Sequence, residues 1–538
     1  MVLGWLIVAA TTGRALELQQ VDESSPPAKA MGAIDRAVFA RLDGLGLRPV
    51  LCSDEVFLRR IYLDVTGTLP TADEARRFLE DTSPNKRPDL IDHLLATEAH
   101  ASYFAMRWSD VLRIKAEFPI NLWPNAAQAY HHWVREQVVE NTPYDRFARQ
   151  LLTSSGSNFR VGPVNFYRAI QNRTPEGITA AVALTFLGER TDHWPASRVQ
   201  GMAVGFSQVG YKPTREWKEE IVYWDPFHPS AVGINAASET PEEAGSLTST
   251  PVPALPAPLT ATWPDGTTVT IPADTDPRQV FADWLVRPEN PAFTRAIANR
   301  SWSWLLGRGV IHEPDDIRDD NPPSNPELLT ALEQELRDNH FDLKHLYRTI
   351  LNSSTYQLAS TPGADRPEAE AAIASDRVRR LEAEVLIDAI NQITGTTELY
   401  TSPIPEPFTY IPRDVRAVAI ADGSITSPFL TLFGRSARVT GLESERLTNP
   451  VPAQWLLLLN SSLIQRKLEQ GPGIRAILAL KGRNRVVEEL YLTILSRRPT
   501  VEELQTCAAY ARSAGSAREP AIDLAWALIN SHEFLYRH

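Results

Sequence analysis

The chain has 538 residues, enough for two or more cores, and its 43% apolar and 22% charged residues are an ordinary globular composition. A formal net charge of −12 with no basic patch argues against a nucleic-acid partner, since phosphate contacts need clustered Lys and Arg. No apolar run reaches bilayer-spanning length, so no integral membrane span is expected.

The sequence opens MVLGWLIVAATTGRALELQQ, with an apolar run from Val2 to Ala10 and small residues up to Ala15. Residues 1–15 therefore fit the hydrophobic and cleavage regions of a signal peptide, although the basic start is missing. The alternative is a buried N-terminal segment. Export to the periplasm or cell envelope is the expectation. Ile34, Val38, Leu42 and Leu45 recur at helical spacing and open a helical domain over 30–235. Thr71 and Glu74 form a capping-box pattern, and Thr142-Pro143 and Thr174-Pro175 each set a cap residue before a first-turn proline. The helix after Pro175 is expected to stop at Gly188.

Residues 239–258, ETPEEAGSLTSTPVPALPAP, read as an extended linker, and Asp265-Gly266 in LTATWPDGTTVTIP reads as a hairpin turn. Linker and hairpin together occupy 236–274. A second helical domain follows over 275–538. Its predicted helices open at Asn325-Pro326, run over 377–394 to Gly395, and cover 452–469, 485–496 and 520–534, with a capping box at Thr500 and Glu503. The expected fold is mainly α: two helical domains joined by a Pro-rich linker with a small β hairpin. Cys52 and Cys507 are too few and too far apart for a disulfide framework, and two separate thiols are expected.

Residues 299–360 crowd charged and aromatic side chains into NRSWSWLLGRGVIHEPDDIRDDNPPSNPELLTALEQELRDNHFDLKHLYRTILNSSTYQLAS. Residues 57–96 read FLRRIYLDVTGTLPTADEARRFLEDTSPNKRPDLIDHLLA. On these stretches the chain resembles a planctomycete- and verrucomicrobial-type two-domain envelope family carrying domains of unknown function 1549 and 1553. The resemblance runs from about Ile34 onward. Many members of that family place a haem-type C-x-x-C-H motif after the helix that here ends at Leu187. In this chain the segment is GERTDHWPASR, residues 188–198, and only Asp192-His193-Trp194 is like the motif's tail. A later family pattern, F-G-R-x-x-R followed by C-x-C-E-R, is matched by Phe433, Gly434, Arg435, Arg438, Glu445 and Arg446, with Leu442 and Ser444 at the cysteine positions. Covalent haem therefore has no attachment site here. Loss at both places implies that the two segments work together in the cysteine-bearing relatives.

Two clusters are candidate sites. The acidic loop Asp315, Asp316, Asp319, Asp320 and Asn321 is dense enough in oxygen ligands for Ca²⁺, although its spacing is not that of an EF-hand. The alternative is that these residues cap helices and pair with Arg300, Arg308 or Arg318. The Arg–Glu set Arg435, Arg438, Glu443, Glu445 and Arg446 suits either an anion held by guanidinium forks or internal pairing. Tryptophans 194, 217, 224 and 263 lie in irregular or β segments where exposed indoles stack on sugar rings, against core packing as the alternative. No H-E-x-x-H, G-x-S-x-G, P-loop or dinucleotide pattern occurs. The expectation is an exported binding or scaffolding partner of envelope or polysaccharide-processing proteins, with no cofactor. The resemblance implies a sulfatase-like exported protein or a polysaccharide as partner. A hydrolase using the acidic and Arg-rich segments, and a redox protein with a non-covalent cofactor, are the alternatives.

Overall fold

The computed structural model describes residues 28–233, 256–360, 367–513 and 518–538. The signal-peptide region and most of the Pro-rich linker lie outside the described residues. Helices dominate, and strands are confined to three small antiparallel sheets.

Local chemistry sets many of the boundaries. Ser53 caps the helix Asp54–Thr66 by accepting from the Val56 amide, and Gly67 closes it at φ 59°. The reciprocal Thr71–Glu74 capping box opens Ala72–Glu80. The box at Thr500 and Glu503 is equally reciprocal, at 3.2 and 2.7 Å. Thr174 caps Pro175–Val182, whose continuation ends at left-handed Gly188. The hairpin forms as expected: Leu259–Thr262 pairs with Thr268–Ile271, in register Thr262↔Thr268, around Gly266 at φ 85°.

Other boundaries differ from the sequence pattern. Thr142 caps nothing: the helix Tyr144–Thr153 starts with Pro143 at the cap position. The expected helix over 377–394 begins only at Ala383, because Arg379–Arg380 is a strand paired with Tyr536–Arg537. The stretch 452–469 breaks at Ser461, whose hydroxyl caps the second of two helices, Pro452–Asn460 and Ser462–Gln470. A three-stranded sheet of Gly156–Ser157, Glu220–Trp224 and Val209–Pro213 is not legible in the sequence, because its strands are short and Gly156–Ser157 pairs with a strand more than 60 residues away.

Buried residues from Ile34 to Leu535 form one hydrophobic cluster. Helix Ala33–Gly44 packs on Pro326–Asp338, Lys86–Leu95 on Leu343–Asn352, and Tyr144–Thr153 on Pro277–Leu285. Buried arginines fasten the same parts. Arg59 donates to the carbonyls of Ile494 and Phe534, at 2.9 and 2.8 Å, and Arg60 to those of Tyr356 and Leu358, both at 2.8 Å. These bonds satisfy carbonyls left over at helix and strand ends, which would otherwise be costly to bury. Cys52 and Cys507 are separate thiols.

Candidate functional site

Helix Glu98–Val111 carries Tyr103, Arg107 and Asp110 at successive turns of one face, and helix Ala383–Thr394 starts beside them with Glu382 and Glu384. The segment 435–446 lies against both. Arg446 is the hub: it meets Asp110 at 2.6 Å and takes Glu384 in a two-point fork at 2.9 and 3.0 Å. Arg435 reaches Glu384 at 3.3 Å, and Arg438 reaches Asp110 at 2.9 Å. Burial pushes the Glu384 carboxyl up, but the Arg446 and Arg435 charges outweigh it and hold the group at about 2. Glu445 turns back on its own loop and accepts from Ser436 Oγ and the amides of Val439 and Thr440. The Arg–Glu set is thus mostly an internal network, and its outward members are Glu443 and Arg446.

The acidic loop sits behind. Asp315 is buried; one oxygen meets Arg300 at 3.1 Å and the other accepts from the Glu443 amide at 2.6 Å. Asp316 and Asp320 flank Arg318, at 3.2 and 3.5 Å. Asn321 donates to the carbonyls of His312 and Asp316, and Asp319 faces solvent. Arg308 lies apart, 3.7 Å from Glu370. Among the described residues no three His, Cys, Asp or Glu side chains are grouped so as to hold a metal ion.

This loop joins the segments around 185–190 and 442–446. The Ile317 amide donates to the Gly188 carbonyl at 2.9 Å, and Arg190 pairs with Glu313 at 3.4 Å. Arg300 also donates to the carbonyls of Thr185 and Leu184. On the other side Asp315 holds the Glu443 amide. Residues 188–190 and 442–446 are therefore fastened to one short stretch of backbone.

In front of the network opens a cleft of about 590 Å³. Six arginines line it (107, 377, 379, 380, 446 and 537), against the four carboxylates Asp64, Glu313, Glu382 and Glu443. Arg107 meets Glu382 at 2.7 Å and Glu443 at 3.8 Å, and donates to Tyr103 Oη at 2.8 Å. Arg379 and Arg537 grip Asp64, at 2.8 and 2.5 Å. Burial pushes the Glu443 carboxyl up and Arg107 only partly offsets it; burial and then Arg308 push His312 down. Ser444, Thr448 and Asn449 form an exposed polar lip. Of the residues singled out in sequence, the structure places only Glu443 and Arg446 in this cleft. Asp315, Arg300, Arg435, Arg438 and Glu445 support it from behind. Arg107, Asp110, Glu382 and Glu384 went unnoticed because their partners lie far away along the chain; the only local signal is the Tyr103–Arg107 spacing.

A separate aromatic patch gathers elsewhere. Trp217 is 69% exposed, and Phe408 is exposed too. Trp123 packs on Phe408 at 5.4 Å, and the Lys218 ammonium lies 5.9 Å from the Trp123 ring and 5.3 Å from that of Trp217. Trp123 adopts φ 72°, ψ 150°, a backbone region almost reserved for glycine, held by its amide's bond to the Ala116 carbonyl. The other tryptophans considered for sugar stacking differ. Trp263 is buried under the hairpin, and the half-buried Trp194 and Trp224 spend their indole N–H on Glu189 and Gln208.

Two family models match the chain: "Protein of unknown function (DUF1549)" over residues 33–202 and "Protein of unknown function (DUF1553)" over residues 277–511. The chain belongs to this two-domain family. No curated protein and no solved structure matches it. The DUF1549 part supplies Tyr103, Arg107 and Asp110, and the DUF1553 part supplies Arg379, Glu382, Glu384, Glu443 and Arg446. The cleft thus lies where the two parts of the family meet.

Proposed function

We propose that this DUF1549–DUF1553 protein is an exported binding protein whose arginine-rich cleft takes an acidic, sulfated polysaccharide, in partnership with a sulfatase-like exported protein. The observation that carries this is that, of the six arginines on the cleft wall, Arg380 bonds only carbonyls and Arg377 has no carboxylate nearer than Glu370 at 3.8 Å. Guanidinium is weakly hydrated and matches sulfate and carboxylate oxygens in pairs, so guanidiniums with donors left over select for such groups. Arg377 is the most available hand: its side chain is 47% exposed and its ion pair with Glu370 is long, at 3.8 Å. The N-terminal apolar segment supports export. The aromatic patch supports sugar binding, since a flat exposed indole stacks on a pyranose face.

The test is a titration of the protein with heparin and with chemically desulfated heparin. Sulfated chains should bind with a steep salt dependence, and Arg377→Ala should weaken them by about tenfold, the loss of one charge-assisted contact. Equal affinity for both polymers would remove the reading.

A second reading is favoured by one observation: Glu443, its pKa raised, shares Arg107 with Glu382 inside the cleft. Two carboxyls held close together, with the one pushed up by burial as the proton donor, are the pairing that glycoside hydrolysis uses. On that reading Glu443→Gln abolishes release of reducing ends while leaving binding intact. If the wild-type protein releases none from a panel of sulfated and neutral polysaccharides, the hydrolase reading goes.

A further inference from the structure

A groove of about 940 Å³ lies among the helices Pro472–Leu478, Arg483–Leu495, Val501–Ser513 and Glu519–Ile529, and shares no residue with the arginine-rich cleft. Its walls are apolar: Leu478, Val486, Val487, Leu524 and Trp526 all face it. Its volume falls within the roughly 300–1,000 Å³ that small-ligand sites occupy.

The rim has the opposite character. Arg475 and Arg483 line the groove, are exposed, and have no side-chain hydrogen bond or ion pair among the described residues. Arg518 also lines it and donates to the Glu469 carbonyl at 2.7 Å. The single carboxylate of the lining, Asp523, accepts from Tyr510 Oη at 2.7 Å. Three guanidiniums against one carboxylate, itself bonded to Tyr510, give the rim of this apolar groove a net positive charge.

We infer that this groove binds a free single-chain amphiphile, an aliphatic chain with an anionic head such as a fatty acid. The chain lies along Val486, Val487, Leu524 and Trp526, which it shields from water, and the carboxylate is gripped by Arg475 and Arg483 in paired hydrogen bonds.

Cys507 supplies a built-in reporter. It lines the groove and is half-buried, whereas the other cysteine, Cys52, is fully buried in the core. Burial pushes the Cys507 thiol up, so labelling is run at mildly alkaline pH. The experiment follows the rate at which a maleimide modifies Cys507 in the folded, full-length protein, with rising laurate, dodecanol or phosphatidylglycerol vesicles. Laurate should slow labelling at least tenfold and saturably, below its micelle concentration, and native mass spectrometry should show one laurate per chain. Dodecanol should protect much less. The double variant Arg475→Glu/Arg483→Glu, at two exposed positions, should label at the wild-type rate without ligand and lose the laurate effect. No protection by laurate, equal protection by dodecanol, or protection unchanged in the double variant would each overturn the inference. Protection by vesicles alone would also overturn it, and would make the groove a membrane-facing surface instead.

Discussion

Glu384 and Asp388 stand one helical turn apart on the helix Ala383–Thr394, both buried, yet their environments drive them in opposite directions. At Glu384 the Arg446 fork and the Arg435 charge overcome burial and the carboxyl sits at about 2. At Asp388 burial wins: Arg416 stands off at 3.5 Å, the amides of Ala417 and Val418 add less, and the group rises from 3.8 to about 6. The pH consequences have opposite signs. Glu384 contributes stability above its unfolded value of 4.5 that is lost as pH falls toward 2. The folded state holds the Asp388 proton more tightly than the unfolded chain does, so its contribution is full below 3.8 and is lost as pH rises to about 6. That rise is worth roughly 3 kcal/mol. Chemical unfolding of the wild type and Asp388→Asn should therefore diverge between pH 4 and 7, with the wild type losing ground by about that amount. A pH-independent difference between the two proteins would show that Asp388 is ionised throughout.

At the scale of elements, a few backbone positions decide whether the cleft is assembled. Gly434 has φ 79°, and a Cβ there would stand 2.2 Å from the Leu447 carbonyl oxygen and 2.7 Å from its Cβ. The Gly434 carbonyl also accepts from the Leu447 amide at 3.0 Å, so the contact closes the loop that presents Glu443 and Arg446. Gly434→Ala should cost roughly 1–3 kcal/mol and displace that loop, lowering both the melting temperature and polysaccharide affinity. Gly266 in the hairpin is the control. Its φ is 85° but a Cβ would meet nothing within 4 Å, so Gly266→Ala should cost about 1 kcal/mol and leave binding unchanged. Binding loss in both variants would mean a global defect; loss in neither would uncouple the loop from the site. These elements also show what the sequence discloses. Capping boxes at Thr71 and Thr500, the Asp265-Gly266 turn and left-handed Gly188 and Gly395 are legible because each is written within a few residues. Thr142-Pro143 misleads because a local pattern competes with the packing of the helix that follows. Arg379–Arg380 misleads because its strand partner is more than 150 residues away.

For the whole molecule the same logic applies to charges. The residues 300, 315, 435, 438, 443 and 446 stand out in sequence as a crowd of Arg, Asp and Glu, and the structure does bring them to one region. What stays hidden is who pairs with whom, because Asp110, Glu382 and Glu384 look like ordinary surface acids until the chain folds. A second such pairing lines the cleft. Arg537 holds Asp64 and Asp376 at once, both at 2.5 Å, and all three are buried. Asp64 belongs to the DUF1549 part, Asp376 to the DUF1553 part, and Arg537 lies beyond both matched stretches. One buried cation thus ties the two family parts together, inside a hydrophobic cluster that runs from Ile34 to Leu535. Removing it leaves Asp64 to Arg379 and Tyr356 and Asp376 to Arg60, and breaking a buried pair in this way typically costs about 3–5 kcal/mol. Arg537→Leu should destabilise the protein by that order, and calorimetry of the wild type should show a single unfolding transition, because the shared core and its buried ion pairs make neither part stable alone. Two resolved transitions, with Arg537→Leu moving only one, would instead mean that the two helical domains read from the sequence unfold independently.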